Sequence, residues 1–260
     1  MPVTIVKIGG NVIDSEESIS AFLNDFAALP GDKILVHGGG KIATKMAADL
    51  GIPTQMVEGR RITDAPMRDV VTMVYGGLVN KQIVAALQQR DVNALGFTGA
   101  DAGIIQSKKR TGTSIDYGYV GDVEKVNAGF IVKLLTLGIT PIFAPLTFDK
   151  AYGLLNTNAD TQASAVATAL AKDRVVNLVY CFEKKGVLTD ANDETTVIPV
   201  LKPDLYAQYR KEGVIYEGMI PKLDNAFDAL HKGVKKVIIC SAEDLIEAAS
   251  KGGAGTSIQL

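Results

Sequence analysis

A three-layer αβα sandwich with a mainly parallel central sheet, an α/β fold in two lobes, is the class this sequence predicts, and three observations predict it. Short apolar runs alternate with helical patterns along the chain. The runs Val3–Ile8, Lys33–His37 and Val175–Phe182 read as strands covered on both faces rather than half-exposed ones. Glycines follow the first two, at Gly9-Gly10 and Gly38-Gly39-Gly40, which puts the turns at the carboxyl ends of strands. That is the edge where open α/β sheets bind ligands.

The elements follow in order. Val3–Ile8 is a strand stopped by Gly9-Gly10. Ser15 to Leu29 is helical, with Ser15 as N-cap, Glu16 and Glu17 favouring the first turn, and Pro30-Gly31 ending it. Lys33–His37 is a strand and Lys41–Leu50 a helix ended by Gly51. Ala65 to Arg90 reads as one long helix or two, with Gly76-Gly77 as the weak point. Val92–Phe97 is a strand, and Gly103 to Val126 reads as hairpins turning at Gly118 and Gly121. Ala128–Leu137 is a helix, Thr140–Ala144 a strand closed by Pro145, and Ala159–Lys172 an alanine-rich helix. The second half holds strands at Val175–Phe182 and Lys235–Cys240, a polar turn from Glu183 to Gly186, and helices at Leu205–Lys211, Lys222–His231 and Asp244–Ser250. A soft boundary near Asp173 divides lobes 1–173 and 174–260, expected to share one continuous sheet.

Composition excludes several classes. The 260 residues are 47% hydrophobic, ample for a large core. Charges nearly cancel, 27 Lys+Arg against 29 Asp+Glu, so nucleic acid is a poor default partner. No uninterrupted apolar run reaches the ~18 residues of a membrane span, and residues 1–8 read as a strand rather than a signal peptide. Cys181 and Cys240 sit in apolar runs, the setting of reduced, buried thiols in a cytoplasmic protein. With His37 and His231 the only histidines, no zinc-like spacing exists and no metal site built from side chains is expected.

Several residues are awkward for structure and informative for chemistry. A lysine near the end of a buried strand, Lys7, is costly unless its ammonium reaches water or an anion. The glycines after it let backbone N–H groups approach a phosphate. Three glycines between a strand and a helix, 38 to 40, exceed what a turn needs and cost roughly 1 kcal/mol each where they intrude on regular structure. A helix N-terminus there suits an anion. The same segment matches a loose dinucleotide pattern, Gly38-x-Gly40-x-x-Ala43, a weak signal by itself, and Glu58, at the spacing of the acidic partner, does not read as a strand end; a P-loop is absent. Arg60-Arg61 before Thr63-Asp64 offers planar forks for a carboxylate. Asn156, Asn158 and Asp160 alternate in front of a helix; capping accounts for Asn158 and Asp160 but not Asn156. Lys222 lies in the first turn of a helix, the wrong end for a cation unless an anion sits nearby. His37 reads as a satisfied structural histidine.

Six segments stand together in one order: Lys7-x-Gly9-Gly10, His37-Gly38-Gly39-Gly40, Gly59-x-Arg61-x-Thr63, Gly118-x-Val120-Gly121-Asp122-Val123, Asn156-x-Asn158-Ala159-Asp160 and Gly218-Met219-Ile220-Pro221-Lys222. In this order the chain resembles the amino acid kinase family, and within it the branch that makes acyl-glutamyl phosphates from ATP in arginine biosynthesis. The resemblance implies phosphorylation of the side-chain carboxylate of N-acetylglutamate, with N-succinylglutamate or another N-acyl-glutamate as the alternative acceptor. It implies that Lys7 and Lys222 stabilise the transition state and that Asp160 organises them. It gives Gly39, Gly40, Arg61 and Asn156 to the acyl-glutamate, and Gly9, Gly10, Glu183, Gly186, Leu188, Val214 and Tyr216 to ATP. Mg²⁺ would be held through the ATP phosphates. The N-terminal lobe would bind acyl-glutamate and form the dimer, the C-terminal lobe would bind ATP, and the two lysines would come from opposite lobes. Phosphoryl transfer to an ionised carboxylate needs positioning and cations rather than a general base, in keeping with these residues.

Two departures matter. The branch has Thr/Ser-Asp-Val-x-Gly-Val-Leu in the nucleotide lobe, where this chain has Phe182-Glu183-Lys184-Lys185-Gly186-Val187-Leu188, so the adenosine-side contacts differ. Arginine-inhibited members carry an extra N-terminal helix, and this chain begins at its first strand; the resemblance thus implies a cytoplasmic homodimer without arginine feedback. Two other classes compete: a dinucleotide-dependent oxidoreductase, which leaves Lys7, Asp160 and Lys222 without a task, and a non-catalytic amino-acid sensor of the same fold.

Overall fold

The computed structural model describes residues 2–57, 59–215, 218–250 and 253–260. The chain forms two compact units. One combines residues 1–33 with 163–260, and the other spans 34–162.

The first unit is built on five strands in the order Val200–Leu201, Thr256–Ile258, Lys236–Ser241, Val176–Phe182 and Val3–Ile8. Val3–Ile8 runs parallel to Val176–Phe182 along its whole length, from Val3 opposite Val176 to Ile8 opposite Cys181. Lys236–Ser241 continues the parallel order, and Thr256–Ile258 pairs antiparallel to it. All six residues of Val3–Ile8 are buried, as the continuous apolar pattern predicts. This pairing is why a single cut near Asp173 does not describe the units. The first strand and the helix after it belong with the C-terminal strands, because strand pairing joins segments far apart in sequence.

Helix Glu16–Ala28 starts as expected, with the Ser15 side chain accepting from the Ser18 N–H and two acidic residues in its first turn. It buries Phe22, Leu23 and Phe26, each worth about 1.5–3 kcal/mol. Its C-terminus is closed by Lys33, whose ammonium donates to the carbonyls of Ala27 (2.5 Å) and Leu29 (2.9 Å) and lies over the Phe26 ring. A cation is favourable at that end of a helix.

In the second unit the strands Lys33–His37, Thr140–Phe143 and Ala94–Phe97 are parallel neighbours in that order. A four-stranded sheet holds Gly153–Asn156, Leu146–Asp149, Ile105–Lys109 and Gly121–Val126. The last two form the expected hairpin, while the pairing of Leu146–Asp149 with Gly153–Asn156 lies outside the sequence reading. A small hairpin, Met56–Val57 with Arg60–Arg61, precedes Thr63, which bridges to Gly118.

Ala65–Gln88 is one continuous helical segment: α from Ala65 to Val71, π from Thr72 to Val79, and α again from Asn80 to Gln88. Gly76-Gly77 therefore widens the helix rather than breaking it. Its 24 residues are long and apolar enough to cross a membrane on length and composition alone. Met67, Val70, Val71, Val74, Val79, Ile83 and Leu87 are nevertheless buried in this unit's core, the pattern of a core helix.

Candidate active site

Each unit carries a cavity built from the glycine corners and charged residues singled out above. In the first unit a cavity of about 380 Å³ opens at the carboxyl ends of Val3–Ile8 and Val176–Phe182. Lys7, Gly9, Gly10, Glu183, Gly186, Leu188 and Lys222 line it. Val214 does not; its neighbour Ile215 does, with Val187 and Met219 completing an apolar wall. Tyr216 lies outside the described residues, as do Glu58 and Glu217. Lys7 and Lys222 thus come from one unit rather than two, because the Val3–Ile8 strand pairs with Val176–Phe182.

Phe182 connects the two lysines. The ammonium of Lys7 lies 4.8 Å and that of Lys222 4.0 Å from its ring centroid. The ring itself stacks on Tyr180 at 6.1 Å, nearly parallel. A cation over an aromatic face gains about 0.5–2 kcal/mol depending on desolvation, so one ring holds two like charges at the mouth of one cavity. Phe182 is an apolar residue ending an apolar strand, which gives no sequence signal for this task. Lys222 sits in the first turn of helix Ile220–His231, which has no side-chain cap. The Gly9 and Gly10 backbone is open: a Cβ at either would meet no protein atom closer than 3.8 Å. Together these groups suit a ligand with one polyanionic end and one flat apolar end. Among the described residues no three His, Cys, Asp or Glu side chains gather to hold a metal.

In the second unit a cavity of about 210 Å³ is lined by Gly39, Gly40, Arg61 and Asn156, and also by Tyr75 and Arg110. Arg61 is buried. Its Nη2 donates to the Gly40 carbonyl (2.9 Å) and Thr44 Oγ1 (2.8 Å), and its Nη1 to Thr54 Oγ1 (3.3 Å). The hairpin Met56–Arg61 is thereby tied to the start of helix Gly40–Asp49. Asn156 donates from Nδ2 to Thr63 Oγ1 (3.0 Å). Asn158 caps helix Ala159–Leu170 by accepting from the Thr161 N–H (3.0 Å), and Asp160 follows, buried, in the first turn. Asp160 lines neither cavity. Arg110 is held by both Asp122 oxygens and lies over the Tyr117 ring. Sequence reading noted the Asp122 motif but not this arginine. Burial raises the Tyr75 phenol above its ordinary pKa, opposed by the Arg61 guanidinium beside it.

His37 is fully buried next to this cavity. Burial lowers its pKa from 6.5 to about 4, with the Gly38 carbonyl opposing the shift and Lys81 adding to it. Between those values the unfolded chain binds a proton that the folded chain refuses. The associated stability is complete above about pH 6.5 and is lost as pH falls towards 4, on the order of 3 kcal/mol in all. Urea unfolding at pH 7.5 and 4.5 should therefore show a fall that shrinks in His37→Asn. An equal fall in both proteins would remove His37 from the account.

Residues 2–241 match the family model described as "Amino acid kinase family", and the chain belongs to that family. More particularly, it is similar over most of its length to two curated proteins of the same name. It is 57% identical to the acetylglutamate kinase of Cytophaga hutchinsonii, over 94% of this chain and 92% of that one. It is 54% identical to the acetylglutamate kinase of Phocaeicola vulgatus, over 98% of each. Among solved structures, smu.665 from Streptococcus mutans UA159 superposes with a TM-score of 0.78 at 28% identity, covering 99% of this chain and 98% of that one.

Proposed function

We propose that this chain transfers the γ-phosphoryl group of ATP to the side-chain carboxylate of N-acetylglutamate, giving N-acetylglutamyl 5-phosphate and ADP, a step of arginine biosynthesis. The observation that carries the reading is full-length similarity above 50% identity to curated acetylglutamate kinases. It favours the acetyl acceptor over a succinyl one, and an enzyme over a sensor.

ATP takes the Phe182 cavity, its phosphates against Lys7, Lys222 and the Gly9-Gly10 backbone, its base against Val187, Leu188 and Ile215. N-acetylglutamate takes the Arg61 cavity, its α-carboxylate on Arg61 and Asn156 and its reacting end on the Gly39 and Gly40 N–H groups. The acceptor carboxylate is already ionised at neutral pH, so no base is needed to deprotonate it. In a loose phosphoryl-transfer transition state, charge spreads over the equatorial oxygens, and Lys7 and Lys222 meet it. Mg²⁺ bound through the ATP phosphates would neutralise part of their charge.

The test traps the product. Purified protein, Mg-ATP, N-acetylglutamate and hydroxylamine should yield a hydroxamate. No hydroxamate with N-acetylglutamate, or product with N-succinylglutamate alone, overturns the reading.

The working form is a cytoplasmic homodimer. Reduced, buried Cys181 and Cys240 fit the compartment, and the exposed side chains of Met73 and Leu78 on the Ala65–Gln88 helix fit a twofold contact. Light scattering at micromolar concentration should give twice the chain mass; a monomer would count against the dimer.

A further inference from the structure

We propose that His37, fixed in one tautomer by Asn80, is a positioning residue for phosphoryl transfer: it turns the Gly38 carbonyl inward so that the Gly39 N–H faces the charged oxygens of the substrate. The inference rests on reading the Arg61 cavity as the acceptor site.

The tautomer follows from hydrogen-bond bookkeeping that begins at Asn80, a buried residue of the Ala65–Gln88 helix. Its Nδ2 donates to the Ile142 carbonyl (3.0 Å), which can only accept, so this atom is the amide nitrogen. Its Oδ1 accepts from the Lys81 ammonium (3.1 Å), which can only donate. With the amide so oriented, Nδ2 also donates to His37 Nε2 (3.1 Å), and Nε2 is the acceptor. The proton of the neutral ring is therefore on Nδ1, which donates it to the Gly38 carbonyl at 2.7 Å. The neighbouring strand is shaped around this amide. A Cβ at Gly96 would fall 1.8 Å from Asn80 Oδ1, so only glycine admits Asn80 there.

The direction of the Gly39 N–H follows in turn. The described residues contain no cis peptide, and across a trans peptide the carbonyl and the next N–H point opposite ways. With the Gly38 carbonyl aimed at a fully buried ring, the Gly39 N–H points away from it, and the Gly38-Gly39-Gly40 backbone lines the cavity. Gly39 has φ +145°, and a Cβ there would lie 3.1 Å from the Tyr75 ring, so no side chain covers the group. A peptide between two glycines has little intrinsic preference for either orientation. Flipped, it would show an oxygen to an anion. His37 supplies the preference.

The protein's two histidines make the test direct. In ¹⁵N-labelled protein the His37 imidazole should show the Nδ1–H tautomer, with no protonation between about pH 8 and 6. The Nε2–H tautomer, or an imidazolium, would overturn the proposal without any substitution being made. Two variants then separate positioning from mere stability. His37→Asn places an amide donor near the Nδ1 position; His37→Gln reaches the Nε2 position and leaves the Gly38 carbonyl unheld. His37→Asn should keep kcat within about 3-fold, and His37→Gln should lose about 10-fold or more at an equal Tm and an unchanged KM for ATP, a fraction of the cost of deleting an oxyanion donor. Equal kcat in the two variants, or losses that track Tm, sinks the idea. An unsubstituted protein that makes no acyl phosphate sinks instead the acceptor-site reading, and leaves the tautomer result standing.

Discussion

Lys222→Ala should lower kcat by about 100-fold or more, with KM for ATP changed far less, because the cation acts mainly on charge that develops in the transition state. The position itself makes the case. Lys222 occupies the first turn of helix Ile220–His231, where the helix dipole disfavours a cation by a few tenths of a kcal/mol. Its ammonium lies over the same Phe182 ring as that of Lys7. Lys222 lines the same cavity as Lys7 and the Gly9-Gly10 corner, a place that suits an anionic ligand. The same substitution should leave Tm unchanged or slightly raised. Lys7→Ala should show a kcat loss of similar size, about 100-fold. Its Tm is a less clean control, since Lys7 is buried on a central strand. Steady-state kinetics with thermal melting decides the matter. A loss confined to KM would reduce both lysines to substrate binders, and a falling Tm for Lys222→Ala would argue that it is structural.

Arg61→Ala should act on the other substrate, raising KM for N-acetylglutamate about 10- to 100-fold with a smaller effect on kcat, the range expected on losing a hydrogen-bonded charge contact. Arg61 already gives donors to Gly40, Thr44 and Thr54, so its plane is set before any ligand arrives. A guanidinium serves these partners and a carboxylate from one rigid fork; an ammonium cannot. Arg61→Lys should therefore resemble Arg61→Ala in KM rather than the unsubstituted protein. Affinity for a non-hydrolysable ATP analogue should not move in either variant. If it falls as much as KM for N-acetylglutamate rises, the substitution has damaged the chain broadly and the carboxylate assignment fails.

How much of this was legible in the sequence depends on how local the cause is. Val3–Ile8 with its two glycines, Lys33–His37 with its three, and the Ser15-capped helix all read correctly, because their signals lie within a few residues. The pairing of Leu146–Asp149 with Gly153–Asn156 was missed. Both strands are short and mixed in polarity. That Lys7 and Lys222 belong to one unit also escaped, since a parallel pairing between residues 3–8 and 176–181 has no local signature. Lys7, Lys222, Arg61 and the glycines of the two corners, singled out in the sequence for their chemistry, line the cavities, whereas Arg110 was not singled out. Nor were Phe182, Tyr75 and Asn80: two are ring-bearing residues inside apolar runs, and Asn80 reads as an ordinary helix residue. Their tasks exist only through what folding brings beside them.

The widened segment Thr72–Val79 sets the rotational phase of everything after it. Each residue of an α-helix advances about 100° around the axis, and the π geometry advances less. Asn80 is the first residue to emerge from that segment, so the wide turns decide which way its amide points. Restoring ordinary α geometry over Thr72–Val79 at unchanged chain length would add a little rotation at every residue and swing Asn80 through a large part of a turn, away from His37. The wide turns thus act as a clock hand for the acceptor cavity: they hold one residue more than α geometry would fit at the same phase, and closing them without shortening the chain would reset it.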